Sequence, residues 1–350
     1  MKKKVTIQDI ADALGISRNT VSKAINNADG LAEATREKIL EKAVEMGYKQ
    51  FSYVSAAASF SRSAADGETA PPAFQGEIAL LTTVFLTKSH FSSLVLDKFQ
   101  REISQLGYVM NSHRVTEDDL KKKTLPITFR REQVKGIICI EMFDRSYDEM
   151  VCDLGIPVLF VDGPAKKGAY NLPADQLYMD NVTEISRFVY DALRKGDRRI
   201  GFIGNPDHCQ SFYERYLAFF ASMSLAGVPV EERYCIRCNH SDEMAGALAA
   251  LDELPDIFVC ANDFVAIDAM RVLFSLGKRV PEDVRFLGFD DSSESRHSSP
   301  AISTVHIHTQ IMAYEALHLL ISRIKEPSLD FRTVHTQTDL IERESTRRFI

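Results

Sequence analysis

Apolar residues at Ile7, Ile10, Ala11 and Leu14 recur at i, i+3, i+4 and i+7, the stripe of a short amphipathic helix. Thr6 stands where such a helix is capped, and Asp9 can return the bond in a variant of the capping box. Gly15 ends it, because a C-terminal turn asks for a left-handed residue. Ser17 then reads as the cap of a second helix whose Val21, Ala24 and Ile25 can pack back on the first. Two short helices across a glycine-containing turn make a helix-turn-helix. A third helix is expected over residues 33–46, with Leu31, Ile39, Leu40 and Ala43 available to the same core and Gly47 as its stop. Ala32 holds its cap position, and an alanine there costs on the order of 1 kcal/mol.

That packing leaves a polar surface outside. Arg18 and Asn19 fall on the first turn of the second helix, where a recognition helix meets base edges in the major groove. Arginine can bond guanine bidentately and asparagine adenine. Thr6, Ser17, Thr20, Ser22 and Lys23 are short hydroxyls and a cation, suited to phosphate oxygens.

Further along, the pattern changes period. Residues 50–76 read as an atypical hinge or linker, either a hinge helix or a flexible tether, with residues 61–72 rich in Ser, Ala, Gly and Pro. From there short apolar runs alternate with helical stretches. Strands are expected at residues 77–84, 108–111, 136–140, 158–161, 199–203, 257–260 and 284–288, and helices at 92–106, 215–225 and 264–276. Alternation of this kind means parallel sheets covered on both faces. Its extent, about 270 residues, favours two lobes over one sheet.

Charge sharpens the division. The chain carries a formal charge of −7, which would argue against nucleic acid if it were evenly spread. Residues 1–50, however, hold nine Lys and Arg, among them Lys2, Lys3 and Lys4, against seven Asp and Glu. The head is mildly basic and the acid excess lies behind it. No apolar run reaches membrane-spanning length, and no apolar stretch follows the basic start as a signal peptide requires. Six cysteines, with Cys139 and Cys260 inside apolar runs, suggest a reducing, cytoplasmic setting. Cys235 and Cys238 have CxxC spacing near His240, but no second pair lies close enough to complete a zinc site, so no metal is expected.

The residues from Val5 to Ala11, from Ser17 to Asn27, from Thr35 to Leu40 and from Glu45 to Tyr48 resemble the opening of lactose/galactose-repressor (LacI/GalR) family transcription factors. The resemblance implies that Arg18 and Asn19 are the base-reading pair and that Thr6, Ser17, Thr20, Asn26 and Tyr48 touch the DNA backbone. Motifs behind the linker stand in the same family order: Gly155 to Val158 with Asp162, Asp180-Asn181, Asp197 to Gly201, Glu214 to Phe219, Ala261-Asn262-Asp263, Val280 to Val284 and Gly288 to Asp291. Pro300 to Val305 follows, and Ile341 to Arg347 matches the family's usual final strand. The implied fold is an all-α helix-turn-helix head, residues 1–49, and an α/β two-lobe, periplasmic-binding-protein-like (type I) effector domain with parallel sheets, residues 77–350. Its N-lobe is expected at about 77–174 and 307–334 and its C-lobe at about 175–306 and 335–350. Residues 50–76 depart from the family: where relatives wedge a leucine into the minor groove, this chain has Ala57, too small to pry a base step apart.

Ligands in open α/β sheets bind at the C-terminal ends of strands. Asp162, Asn262 and Asp290 each follow an apolar run, and Ser211 and Arg215 lie near a helix start. Together they offer donors and acceptors to a polyhydroxylated ligand, and the resemblance nominates the same five as effector contacts. Phe91 could stack on a sugar face. Asp162 and Asp290 could also be imagined as a glycosidase pair, but Arg215 between them is expected to keep both ionised, so no catalytic residue is assigned. The reading is a homodimeric regulator, a repressor by preference, with a pseudo-palindromic operator and a sugar-like effector of unknown identity as its partners and no cofactor. Because the chain stops just past Arg347-Arg348 without a heptad tail, a dimer is the expected assembly. The alternative is a small-molecule binding protein whose head has lost operator specificity.

Overall fold

A computed structural model describes residues 5–25, 31, 32, 35, 36, 38, 39, 42, 43, 46, 73–84, 90–238 and 241–348. The chain divides into two compact units, residues 1–73 and 74–350.

In the first unit, α1 (Ile7–Leu14) and α2 (Arg18–Ile25) form the expected pair. The Thr6 hydroxyl accepts from the Asp9 amide at 3.2 Å and the Asp9 carboxylate accepts from the Thr6 amide at 2.7 Å, completing the box. Gly15 closes α1 at φ 65°. Ser17 caps α2 by accepting from the Thr20 amide at 3.0 Å. Ile10, Ala11, Val21 and Ala24 are buried together with Ile39 and Ala43, and the described positions from Thr35 to Ala43 are helical. Arg36 is buried with them and donates to the Ala24 carbonyl near the end of α2. The expected linker and Leu40 lie outside the described residues, apart from the positions from Ala73 on.

The second unit is built on two parallel sheets. Its strands are β1 (Gly76–Thr82), β2 (Tyr108–Arg114), β3 (Val134–Ile140), β4 (Val158–Val161), β5 (Asp175–Met179), β6 (Ile200–Ile203), β7 (Cys235–Ile236), β8 (Ile257–Cys260), β9 (Arg285–Leu287), β10 (Thr304–Ile307), β11 (Thr333–Thr336) and β12 (Thr338–Ile341). The first sheet runs β11-β5-β4-β3-β1-β2 and the second β7-β6-β8-β9. Every residue of β1, β4, β5, β6 and β8 is buried, as expected of inner parallel strands covered on both faces, whereas β2 at the sheet edge is largely open. The helices that matter below are α3 (His90–Gln105), α4 (Glu117–Lys122), α5 (Arg145–Cys152), α6 (Thr183–Arg194), α7 (Gln210–Leu225), α8 (Ser241–Ala249), α9 (Asp263–Ser275), α10 (Ser293–His297) and α11 (Thr309–Lys325).

The chain crosses between lobes three times: after β5, along β10 into α11, and from β11 to β12. β10 and β12 pair antiparallel in this crossover. Two expectations need correction. β5 and β11 both hydrogen-bond into the first sheet, so the N-lobe extends through Met179 and Thr336 rather than stopping at 174 and 334. The final segment is not a strand beyond Ile341; it turns through a 3-10 helix (Glu344–Thr346) whose buried Ser345 donates to the Phe286 carbonyl at 2.6 Å. α7 also starts five residues earlier than its periodicity suggests, because Gln210, Ser211 and Phe212 are buried and mask the amphipathic signal.

Candidate functional site

On the head, Ser17, Arg18, Asn19 and Lys23 are exposed along the start and outer face of α2, and Thr6 is exposed at the start of α1. Packing explains this placement, since Val21 and Ala24 take the inward positions. Ser17 and Thr20 share a hydroxyl contact at 2.8 Å beside the cap, and Ser22 is half-buried. An N-terminal turn whose guanidinium and amide point to solvent can present both to base edges, with hydroxyls around it for the backbone. Asn26 and Tyr48, also nominated, lie outside the described residues, as do Ala57 and His240.

In the second unit, the loops after β4 and β9 meet the start of α7. Asp162 follows β4 and Asp290 follows β9, each in a left-handed backbone, with φ 62° and 105°. Such conformations cost of order 1–3 kcal/mol and collect at functional sites. Asp162 Oδ1 accepts from the Gly163 amide at 2.8 Å and from the Ser211 amide at 3.2 Å, tying the two lobes together. Arg215, 2% exposed, donates to Asn181 Oδ1 at 2.9 Å and to the Ala261 carbonyl at 2.6 Å. Its guanidinium lies 3.5 Å from the centre of the Phe289 ring, and Nη1 stands 3.6 Å from Asp290 Oδ1. The structure therefore brings Asp162, Ser211, Arg215 and Asp290 into one neighbourhood.

The other two nominations fare differently. Asn262 caps α9, its Oδ1 accepting from the Val265 amide at 2.9 Å, which leaves only its amide nitrogen for a ligand. Phe91 is half-buried against the first lobe's core. Asp180 caps α6 through the Val182 and Thr183 amides. Asp291 is bound by Arg296, Arg343 and His306. Cys235 and Cys238 are free, and the described residues contain no cluster of metal-ligating side chains.

Ionisation differs from expectation. Burial raises the Asp162 carboxyl, against hydrogen bonds from Gly163, Cys209 and Ser211 and the charge of Arg215. Burial pushes Asp290 up to about 8; Arg215 opposes this, while Asp263, Glu141 and Asp162 add to it. Arg215 thus does not hold both acids ionised, because desolvation outweighs one guanidinium already engaged by neutral oxygens. What disfavours a hydrolytic pair is Asp162 itself, whose Oδ1 is occupied by two amides.

Three residues here had no site role in the sequence reading, although Asn181 and Asp263 stand in its motifs. Glu141 follows β3 at φ 56° and accepts from Ser92 Oγ at 3.3 Å. Asn181 bridges Arg215 to Glu214, donating to Glu214 Oε2 at 2.8 Å. Asp263, wholly buried, accepts from Thr304 Oγ1 at 2.6 Å and from the Ser292 amide at 2.7 Å, fixing the loop that carries Asp290. Their signal was positional: each is a polar residue directly after an apolar run or beside an already nominated one.

Comparison with known proteins follows this geometry. Residues 6–50 match the family model described as bacterial regulatory proteins, lacI family, and residues 191–346 the periplasmic binding protein-like domain. The chain is 24% identical over 351 residues to the HTH-type transcriptional repressor PurR of Mannheimia succiniciproducens, covering 98% of this chain and 99% of that one. It is 25% identical over 355 residues to the HTH-type transcriptional regulator CelR of Thermobifida fusca, with the same coverage. Among solved structures, the complex of transcriptional regulator CelR with cellobiose aligns at TM-score 0.66 and 23% identity, over 98% of this chain and 100% of that one. The lac repressor dimer bound to operator and the anti-inducer ONPF aligns at TM-score 0.65 and 19% identity, over 98% and 99%.

Proposed function

Since the chain belongs to the LacI family of bacterial regulatory proteins and is a transcriptional regulator, we propose that it is a cytoplasmic, homodimeric repressor whose operator affinity is set by a small molecule held between its lobes. Arg18 and Asn19 read bases, while Thr6, Ser17, Thr20, Ser22 and Lys23 hold the backbone. Asp162, Ser211, Arg215 and Asp290 receive the effector, assisted by the Asn262 amide. The ligand is sugar-like, and the CelR–cellobiose complex supports that class. No cofactor or metal takes part.

The mechanism needs only differential binding. A ligand that bridges the lobes favours one lobe arrangement, and in a two-fold dimer a lobe shift changes the spacing of the paired heads. Two heads read a pseudo-palindrome whose half-sites lie about one helical turn apart. The observation carrying the reading is the exposed Arg18-Asn19 pair on the first turn of a capped α2. A titration of the full-length protein against palindromic and random duplexes at two salt concentrations tests it. The proposal expects a preference of roughly 10³-fold or more for the palindrome. Equal affinities that fall steeply with salt would mean a head without operator specificity.

A further inference from the structure

We propose that the second lobe carries a further ligand site, for a zwitterion with an apolar body, of the size and chemistry of a short apolar peptide. It lies away from the effector contacts named above and does not depend on them.

A cavity of about 580 Å³ opens between α6, the N-terminal ends of β8 and β9, and the segment that follows β12. β9 begins beside it at Arg285 and runs on toward Asp290, so the cavity and the proposed effector site stand at opposite ends of the second sheet. The volume falls within the ordinary range for small-molecule sites and suits a dipeptide or tripeptide better than a single amino acid. Its floor is apolar: Phe188, Ala192 and Ile257 are buried there and Leu340 is half-buried.

The charged groups around that floor divide into spent and unspent. Asp197 accepts from both Arg285 and Arg348. Arg343 pairs with Asp291, and Asp191 faces Arg194 at 3.9 Å. Among the described residues, Lys195, Arg347 and Glu342 on the cavity wall have no charged partner. Glu344 has only the Ala301 amide, which donates to its Oε2 at 3.0 Å. An ammonium, a guanidinium and two carboxylates therefore border one apolar floor without neutralising each other. A simple anion would meet the two acids there, and a simple cation the two bases. A molecule carrying both signs satisfies both pairs: its carboxylate accepts from Lys195 and Arg347, and its ammonium donates to Glu342 and Glu344. Apolar side chains between the two charges cover the floor. Asp197 is shared by two guanidiniums, and the surplus positive charge strengthens the hold on the carboxylate end.

The test uses the full-length protein and the dipeptides Leu-Leu, Phe-Leu and Leu-Phe, each also as its N-acetyl form and as its C-terminal amide. Thermal shift finds a dipeptide that binds, and calorimetry ranks its forms. Removing either charge leaves one pair of protein groups unanswered, so each capped form is expected to bind roughly tenfold more weakly than the free dipeptide. Glu342, Lys195 and Arg347 are exposed, so their variants keep the fold. Glu342→Gln should weaken the free dipeptide by roughly fivefold and leave its N-acetyl form unmoved. The double variant Lys195→Gln/Arg347→Gln should do the same to the free dipeptide and spare the amide. A capped form that binds wild type as tightly as the free dipeptide overturns the proposal. So does a dipeptide that binds both variants as tightly as wild type, since it then sits elsewhere, and so does the absence of a shift from every dipeptide.

Discussion

Asp148 on α5 carries a prediction that separates burial from function. Its side chain is fully buried and neither carboxyl oxygen makes a hydrogen bond. Burial pushes it up to about 8; Asp144 and Glu149 push the same way and Arg145 opposes. In the unfolded chain an aspartate titrates near 3.9. Between those values the folded protein holds a proton that the unfolded chain has released. Its stabilising share is therefore full below about pH 4 and lost progressively as pH rises to about 8. One pH unit is worth at most about 1.4 kcal/mol, so the limit from pH 5 to 8 is about 4 kcal/mol. Relaxation and water penetration halve such figures, leaving about 2 kcal/mol. Asp148→Asn mimics the protonated acid and removes the slope. Urea unfolding of both proteins at pH 5 and pH 8 measures it, the shared pH dependence of other groups cancelling in the difference. The variant should be within about 1 kcal/mol of wild type at pH 5 and gain about 2 kcal/mol on it by pH 8. An equal difference at both pH values would refute the reasoning.

Three further outcomes follow from named contacts. Asp175, buried at the start of β5, accepts from Arg323 Nη2 at 3.0 Å and from the Arg332 amide at 2.8 Å. Asp175→Ala strands the buried Arg323 and should cost about 3–5 kcal/mol in urea unfolding. A Cβ on Gly288 would stand 2.2 Å from Asp263 Oδ1, so Gly288→Ala should shift the Asp290 loop and destabilise by about 1–3 kcal/mol, read the same way. Arg215→Ala should abolish the thermal shift of whichever sugar binds while operator affinity in a duplex titration stays within about twofold.

Much of this was readable in the chain because local physics and global fold agree there. Thr6, Asp9, Gly15 and Ser17 encode their caps and turn within a few residues, and the structure repeats them bond for bond. Buried parallel strands announce themselves as apolar runs. The lobe boundary was not legible, since nothing in Asp175–Met179 says which sheet edge it joins; that is decided by Arg323 and Arg332, some 150 residues away in sequence, gripping Asp175. α7 hid its first turn because a helix buried on several sides loses its period. The cleft's ionisation was misjudged for a related reason: sequence places Arg215 beside Asp290 but does not reveal that both are desolvated or that Glu141 and Asp263 crowd the same acid.

The central claim is that the front of α2 reads bases. An operator selected from a random pool by the full-length protein, followed by affinities of wild type and Arg18→Ala for all single-base variants of one half-site, tests it most directly. Arg18→Ala should erase roughly 1–3 kcal/mol of discrimination at one position and leave preference elsewhere intact. Weakening spread evenly over every variant, with the base ranking unchanged at each position, would contradict it.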